Sequence, residues 1–180
     1  MTEPIHSTAA DVDAAARAAQ AAFARFGASD AATRAGLLRG LADALAEHKP
    51  RLVALADQET QLGAARLNGE VDRTTFQLRG FAEQVERGAA FAFTDDPAVA
   101  GAPPVGHPHL MRVRVPLGPV AMFAASNFPF AFSVLGGDTA SALAAGCPVV
   151  IKPAEQTPLS ALAVAELGRA SCRERVYHPV

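Results

Sequence analysis

Cysteine is scarce in this chain of 180 residues: there are two, Cys147 and Cys172. They show neither the paired spacing of a zinc site nor the pattern of a disulfide framework. An excess of one charge sign is also lacking. Sixteen Lys and Arg against eighteen Asp and Glu leave a formal net charge of −2, which argues against the basic face of an electrostatic nucleic-acid binder. No uninterrupted apolar run reaches the ~20 residues that a membrane span needs. No basic segment leads into an apolar core at the N-terminus, as a secretory signal would require, and no internal repeat is visible. The expectation is a cytoplasmic protein with neither nucleic acid nor membrane as partner. Apolar mass is what the chain does have. Half of its residues are hydrophobic, chiefly Ala, Val and Leu, enough for the core of one domain of ordinary size.

The first half is helical by pattern. From Asp11 to Phe26, Val12, Ala15, Ala16, Ala19, Ala22, Phe23 and Phe26 recur at helical spacing, and Gly27 stands where a C-cap is expected. Asp30 is the expected N-cap of a second run that lines one face with Leu37, Leu38, Leu41 and Leu45. Pro50 suits the first turn of a third helix carrying Leu52, Val53, Leu55 and Ala56. A fourth run, Glu70 to Arg87, is expected to turn Phe76, Leu78, Phe81 and Val85 inward. The helices thus occupy 11–88.

Residues 92–108 are rich in Pro, Gly and Ala and read as a surface connection, with Asp95-Asp96 as a solvated turn before Pro97. His107-Pro108-His109 offers two ligands at most, with no acidic or Cys partner close in sequence, so a loop without metal is expected. Leu110 to Val115 alternates apolar and basic residues and predicts a half-exposed strand with Arg112 and Arg114 on the wet face. Val120 to Ala125 is a continuous apolar run, as in a strand buried on both faces. Ala131 to Ala145 suits a helix, Val149 to Ile151 a second buried strand, and Pro158 the start of another helix. Strand, helix, strand, helix over 110–167 is a parallel crossover unit. The fold class expected is α/β, with an N-terminal helical layer followed by the first βαβ crossover of a Rossmann-like parallel sheet.

Two polar positions follow these strands. In an open parallel sheet, ligands bind beyond the carboxyl ends of the strands. Asn127 lies there, and its amide is able to donate a hydrogen bond to oxygen charge developing in a tetrahedral intermediate. Asn is equally a favoured N-cap and serves as well in that plain role. Lys152 and Glu155 follow the second strand. Such a pair suits the two hydroxyls of an adenosine ribose, or forms a solvated loop ion pair worth roughly 0–1 kcal/mol. Cys147, at the start of a buried strand, reads as a small core residue.

In combination these segments are more specific. Pro116-Leu117-Gly118-Pro119-Val120, Asn127-Phe128-Pro129, Ala144-Ala145-Gly146-Cys147-Pro148-Val149-Val150 and Lys152-Pro153-Ala154-Glu155-Gln156-Thr157-Pro158 occur in that order. Together they resemble the aldehyde dehydrogenase superfamily over roughly residues 10 to 167. Residues 127–134, Gly136 to Leu143, Glu59 to Gly63, Arg66 to Glu70 and Gln77 to Arg79 are similar to the branch that oxidises α-ketoglutaric semialdehyde (2,5-dioxopentanoate). The resemblance implies oxidation of an aldehyde to the carboxylate by NAD or NADP. In that chemistry a Cys thiolate forms a thioester, which a Glu-activated water hydrolyses. It places the oxyanion-stabilising role on Asn127 and the ribose contacts on Lys152 and Glu155. The backbone of Phe123, Ala124, Ala125 and Ser126, with Ala154, would lie against the cofactor. That branch often carries Lys-Ala-His where this chain has Lys-Pro-Ala-Glu, and a carboxylate there repels a 2′-phosphate, tilting the expectation towards NAD.

The resemblance also implies an incomplete aldehyde dehydrogenase fold. The family's nucleophilic Cys and general-base Glu fall beyond the matched residues, so the chain alone is expected to be inactive. The full-length protein is expected to be a homo-oligomer acting on a small aldehyde. The alternatives are a truncated, non-catalytic paralogue that binds nucleotide or a partner, and reduction of an acyl phosphate or acyl-CoA on the same scaffold. From Gly168 the composition shifts abruptly, and Gly168 to Val176 resembles a translated sequencing adapter. Residues 1–167 are therefore read as the N-terminal part of the domain and 168–180 as a non-native tail. Cys172 stands among Arg169, Arg173 and Arg175, a setting that lowers a thiol pKa. No family motif surrounds it, and it is not expected to be the nucleophile.

Overall fold

The computed structural model describes residues 7–171 and 177–179; Cys172 lies outside them. Helix α1, Ala9–Phe26, opens on a reciprocal cap: Thr8 Oγ1 accepts from the Asp11 amide while the Asp11 carboxylate accepts from the Thr8 amide. Gly27 closes it, donating to the Phe23 carbonyl at 2.8 Å. Of the apolar positions expected to line this helix, Ala19 and Phe26 are buried and Val12 is exposed. Alanines at helical spacing mark a helix without marking a burial face.

Asp30 caps α2, Ala31–Thr60, accepting from the Thr33 amide at 2.7 Å. The separate helix expected at Pro50 does not exist: Pro50 lies inside one helix of 30 residues. An interior Pro costs a helix about 3 kcal/mol. Here Leu38, Leu41 and Leu45 before it and Leu52, Val53 and Ala56 after it are all buried, and that packing holds both halves in one line. Gln61, with φ of 53°, ends the helix in the left-handed region.

Helix α3, Ala64–Glu86, starts a turn and a half before the expected Glu70. Its buried stripe is Leu67, Glu70, Val71, Thr74, Thr75, Leu78, Ala82 and Val85. Phe76, expected inward, is 77% exposed, because it falls off the stripe that Val71, Leu78 and Val85 define. α2 and α3 pack along their lengths, and ion pairs lace their rims: Arg39–Glu86, Lys49–Asp72 and Arg79–Asp43.

The connection 92–108 carries a strand that composition did not suggest. β1, Thr94–Asp96, pairs antiparallel with β2, Leu110–Arg112, and Asp95 and Asp96 sit in a ladder rather than a turn. The strand expected over Leu110 to Val115 stops at Arg112, and Leu110, Met111, Val113 and Val115 are all exposed. A two-stranded ribbon with no third layer cannot bury a face.

The second sheet is parallel, in the order β3-β4-β5. β3, Val120–Phe123, pairs with β4, Val149–Lys152, in the register Val120↔Val149 to Phe123↔Lys152. β5, Tyr177–Pro179, pairs with the other side of β4. Between β3 and β4 lies α4, Gly137–Ala144, and after β4 comes α5, Pro158–Ser171. The compositional break at Gly168 falls inside α5. The helix expected from Ala131 begins only at Gly137; residues 129–135 form turns. Gly136 is the reason: its amide donates to the Ser133 carbonyl, and a Cβ there would collide with the backbone of Ala131.

The expected burial on both faces is incomplete in both strands: on β4, Val149 and Ile151 share one fully buried face, while Val150 on the other face is only partly buried. On β3, Met122 is buried, Ala121 is exposed and Phe123 is 76% exposed. Ala121 and Phe123 share one face of β3, and none of the described residues forms a layer over that face.

Candidate functional site

The parallel register brings the chemistry-bearing residues to one edge. Phe123 and Lys152 are ladder partners at the carboxyl ends of β3 and β4, and the Ala124 amide extends the ladder by donating to the Lys152 carbonyl at 3.0 Å. Both chains then turn away. After β4, Lys152 Nζ donates to Glu155 Oε1 at 2.8 Å, with both side chains largely in water, while Ala154 between them is buried.

After β3, the chain enters residues 124–136, which form no helix or strand. Ala124, Ala125 and Ser126 are half-buried. The Ala125 amide donates to the Phe132 carbonyl at 2.8 Å, and the Phe132 amide to the Phe128 carbonyl at 3.2 Å. Asn127 is exposed, and no helix begins at it. The plain N-cap role for Asn127 is therefore absent. Its carbonyl accepts from Arg66 Nη2 of α3 at 2.8 Å.

Three residues shape this edge that pattern alone had not marked as functional. Arg66 anchors residue 127, as above. Glu70 of α3 is buried, and its Oε1 accepts from the Ala131 amide at 3.4 Å, while Oε2 has no partner. Burial pushes the Glu70 carboxyl above its ordinary value, against the opposing pull of the Ala131 and Phe130 amides and of Arg66 and Arg73. Glu59, at the end of α2, accepts from the amides of Leu159 and Ser160 at 2.5 and 3.0 Å. A helix N-terminus is a ready anion site; that of α5 is already taken by this carboxylate. No local signal links Glu59 to residues a hundred positions away.

At this edge Phe123 offers an exposed apolar surface, the backbone of 124–126 follows it, and Lys152 and Glu155 present a donor and an acceptor. Cys147, 4% exposed, is a core residue. The two His of the 107–109 segment are separately engaged: His107 Nδ1 lies 2.9 Å from the Pro108 carbonyl, and His109 pairs with Asp95 across the ribbon. That acidic partner is distant in sequence and adjacent in space. A groove of about 620 Å³ between α2 and α3 is lined by Lys49, Pro50, Val53, Ala54, Asp57, Ala64 and Asn68, none of which belongs to the edge. Its polar groups are committed locally, Lys49 to Asp72, Asp57 to the Gly63 amide and Asn68 to the Ala64 carbonyl.

A layer of helices followed by a parallel β-α-β crossover defines a mixed α/β protein. The model of the aldehyde dehydrogenase family matches residues 1–172, and the chain belongs to that family. It is 48% identical over 146 residues to alpha-ketoglutaric semialdehyde dehydrogenase 2 of Azospirillum brasilense, covering 81% of this chain and 28% of that protein. With the alpha-ketoglutaric semialdehyde dehydrogenase of Acinetobacter baylyi the identity is 43% over the same shares. Among solved structures, an NADP-dependent enzyme of E. coli superposes with a TM-score of 0.82 at 32% identity, covering 95% of this chain and 34% of that one. The chain thus spans about a quarter to a third of the length of these three relatives.

Proposed function

We propose that this chain is the N-terminal segment of an enzyme that oxidises α-ketoglutaric semialdehyde to the carboxylate with a nicotinamide cofactor. The observation that carries this reading is the 48% identity to a protein named for that substrate. The parallel pairing of β3 and β4, after which Asn127 and the Lys152–Glu155 pair follow, supports it. In this reading the nucleophilic Cys and the water-activating Glu come from the part of the fold that the chain does not span. The segment alone is then inactive, and the complete protein is a homo-oligomer.

The nicotinamide cofactor, when bound, supplies the hydride acceptor. This chain's own residues hold and orient. With the cofactor bound, the Lys152 ammonium would donate to one ribose hydroxyl and the Glu155 carboxylate would accept from its neighbour. Phe123 and the backbone of Ala124, Ala125 and Ser126 form the surface beneath, with Ala154 packed behind. The Asn127 amide donates to the aldehyde oxygen as negative charge builds on it, and a preorganised donor of this kind is worth about 10²–10³ in kcat. Glu155 repels a 2′-phosphate, so NAD is the preferred cofactor.

The deciding experiment is to express the full-length gene. Oxidation of 2,5-dioxopentanoate and of succinate semialdehyde is then followed by formation of the reduced cofactor, with NAD and NADP in parallel. The reading expects the highest kcat/KM for 2,5-dioxopentanoate with NAD. Preference for another aldehyde removes the substrate assignment, and preference for NADP removes the role of Glu155.

A further inference from the structure

The polar face that α3 turns towards residues 127–132 does more than pack. A connection of thirteen residues without a regular element leaves many backbone groups unpaired by neighbours in sequence, and internal bonds alone do not set where Asn127 stands. Beyond the Ala124 amide, which extends the β ladder, two of the connection's groups are held by side chains of α3. Arg66 donates to the Asn127 carbonyl at 2.8 Å and Glu70 accepts from the Ala131 amide at 3.4 Å. The Arg66 guanidinium also lies 5.2 Å over the Phe128 ring and that of Arg73 5.1 Å over the Phe132 ring. The two rings meet edge to face at 5.2 Å. Arg66, Glu70 and Arg73 stand at i, i+4 and i+7, one face of a helix. The helix itself is immobilised by Leu67, Val71 and Leu78, each fully buried.

A buried carboxylate with one oxygen unpartnered is costly to keep. A solvent-facing arginine held by a backbone carbonyl and an aromatic ring gives up rotamer freedom. Both costs fall on the segment that carries Asn127. We infer that α3 is the positioning element for Asn127: Arg66 and Glu70 fix the two sides of the 127–131 turn and so set the direction of the Asn127 amide. Neither residue touches substrate, and both act through the backbone. The inference rests on the role proposed for Asn127. A misplacement of about 1 Å at a reacting centre costs up to ~10²-fold in rate, so a partial loosening of this turn should be visible in kcat.

The test is a double-mutant cycle in the full-length enzyme that carries this segment, reading kcat, KM for the aldehyde and KM for NAD. Asn127→Ala is expected to lower kcat by about 10²–10³. Arg66→Met is expected to lower kcat by about 10-fold with KM for NAD within about two-fold, since the strand-end contacts are untouched. Added to Asn127→Ala, Arg66→Met should cost less than about two-fold further, because a misplaced donor that is already absent cannot be lost again. Arg66→Lys keeps a cation that reaches the Asn127 carbonyl and should stay within about three-fold of the parent. If Arg66→Met does not accumulate as folded protein, Arg66→Gln enters the same cycle. An equal loss from Arg66→Met in both backgrounds makes Arg66 merely structural and overturns the inference. So does no loss in the parent background while Asn127→Ala stays severe. An Asn127→Ala enzyme with unchanged kcat instead removes the role of Asn127 itself.

Discussion

The helical layer and the strand edge of this molecule are built on opposite terms. Between α2 and α3, Leu38, Leu41, Leu52, Leu67, Val71 and Leu78 are sealed from water, and ion pairs close the rim. At β3 and the ribbon, Phe123, Leu110, Met111, Val113 and Val115 are exposed, and the polar residues of interest lie in turns. One region satisfies itself within the chain. The other holds surfaces that nothing in the described residues covers. The contrast teaches that the two regions are stabilised differently: the helices satisfy one another, whereas the edge leaves apolar surface open among the described residues.

The sharpest way to break this contrast is a matched pair of truncations. Leu78→Ala should destabilise the chain by about 2–5 kcal/mol, the usual cost of a deleted buried Leu. Phe123→Ala should change stability by no more than about 0.5 kcal/mol, both read from urea unfolding. Equal effects would mean that the edge is as well packed as the helices. Next in size, Glu59→Ala removes the acceptor of two α5 amides and should cost about 1–2 kcal/mol. Glu59→Gln, which keeps an acceptor oxygen, should lose less.

A pH series sharpens the same comparison. Glu70 has a folded-state pKa raised chiefly by burial, so the folded chain holds a proton more tightly there than the unfolded chain does. Its contribution is favourable below the ordinary glutamate value of about 4.3 and is lost as pH rises through the higher folded value. Asp30 and Asp11 run the other way. Hydrogen bonds at their caps lower both pKa values, so their contribution is present above the ordinary value and lost as pH falls. Subtracting the stability of Glu70→Gln from that of the parent at each pH should therefore give a difference that declines from about pH 4 towards neutrality. A flat or rising difference would mean that Glu70 is not buried as described. The smallest effect belongs to the rim: Asp43→Asn should move stability by no more than about 0.5 kcal/mol and less in high salt. Solubility offers a last check. Expressed alone, the chain should aggregate through its open sheet edge, and a monodisperse product with a cooperative melt would show that the edge is harmless.

Much of the architecture was legible residue by residue. The caps at Asp30 and Gly27, the start of α5 at Pro158 and the parallel pairing of the Val120 and Val149 runs all follow from local chemistry. Pro50 misled because a local breaking signal of a few kcal/mol competes with a packing face that sequence does not display. Phe76, Val12 and β3 misled for one shared reason: an apolar residue states what it would bury, not whether a partner is there. The site was half legible. Asn127, Lys152 and Glu155 stand out by their place after apolar runs, whereas Glu59, Arg66 and Glu70 do not, since their partners lie 61 to 101 residues away.

Local sequence by itself determined a helical first half, a parallel crossover after it, the family and the polar residues that follow the strands. These depend on short-range propensity and on motifs that survive linear reading. Only the tertiary structure decided that α2 is one helix, that β3 is an open edge, that Glu59 occupies the head of α5 and that α3 grips the turn carrying Asn127. Each of those is a contact between distant segments, and its energy exists only once the chain has folded and brought them together.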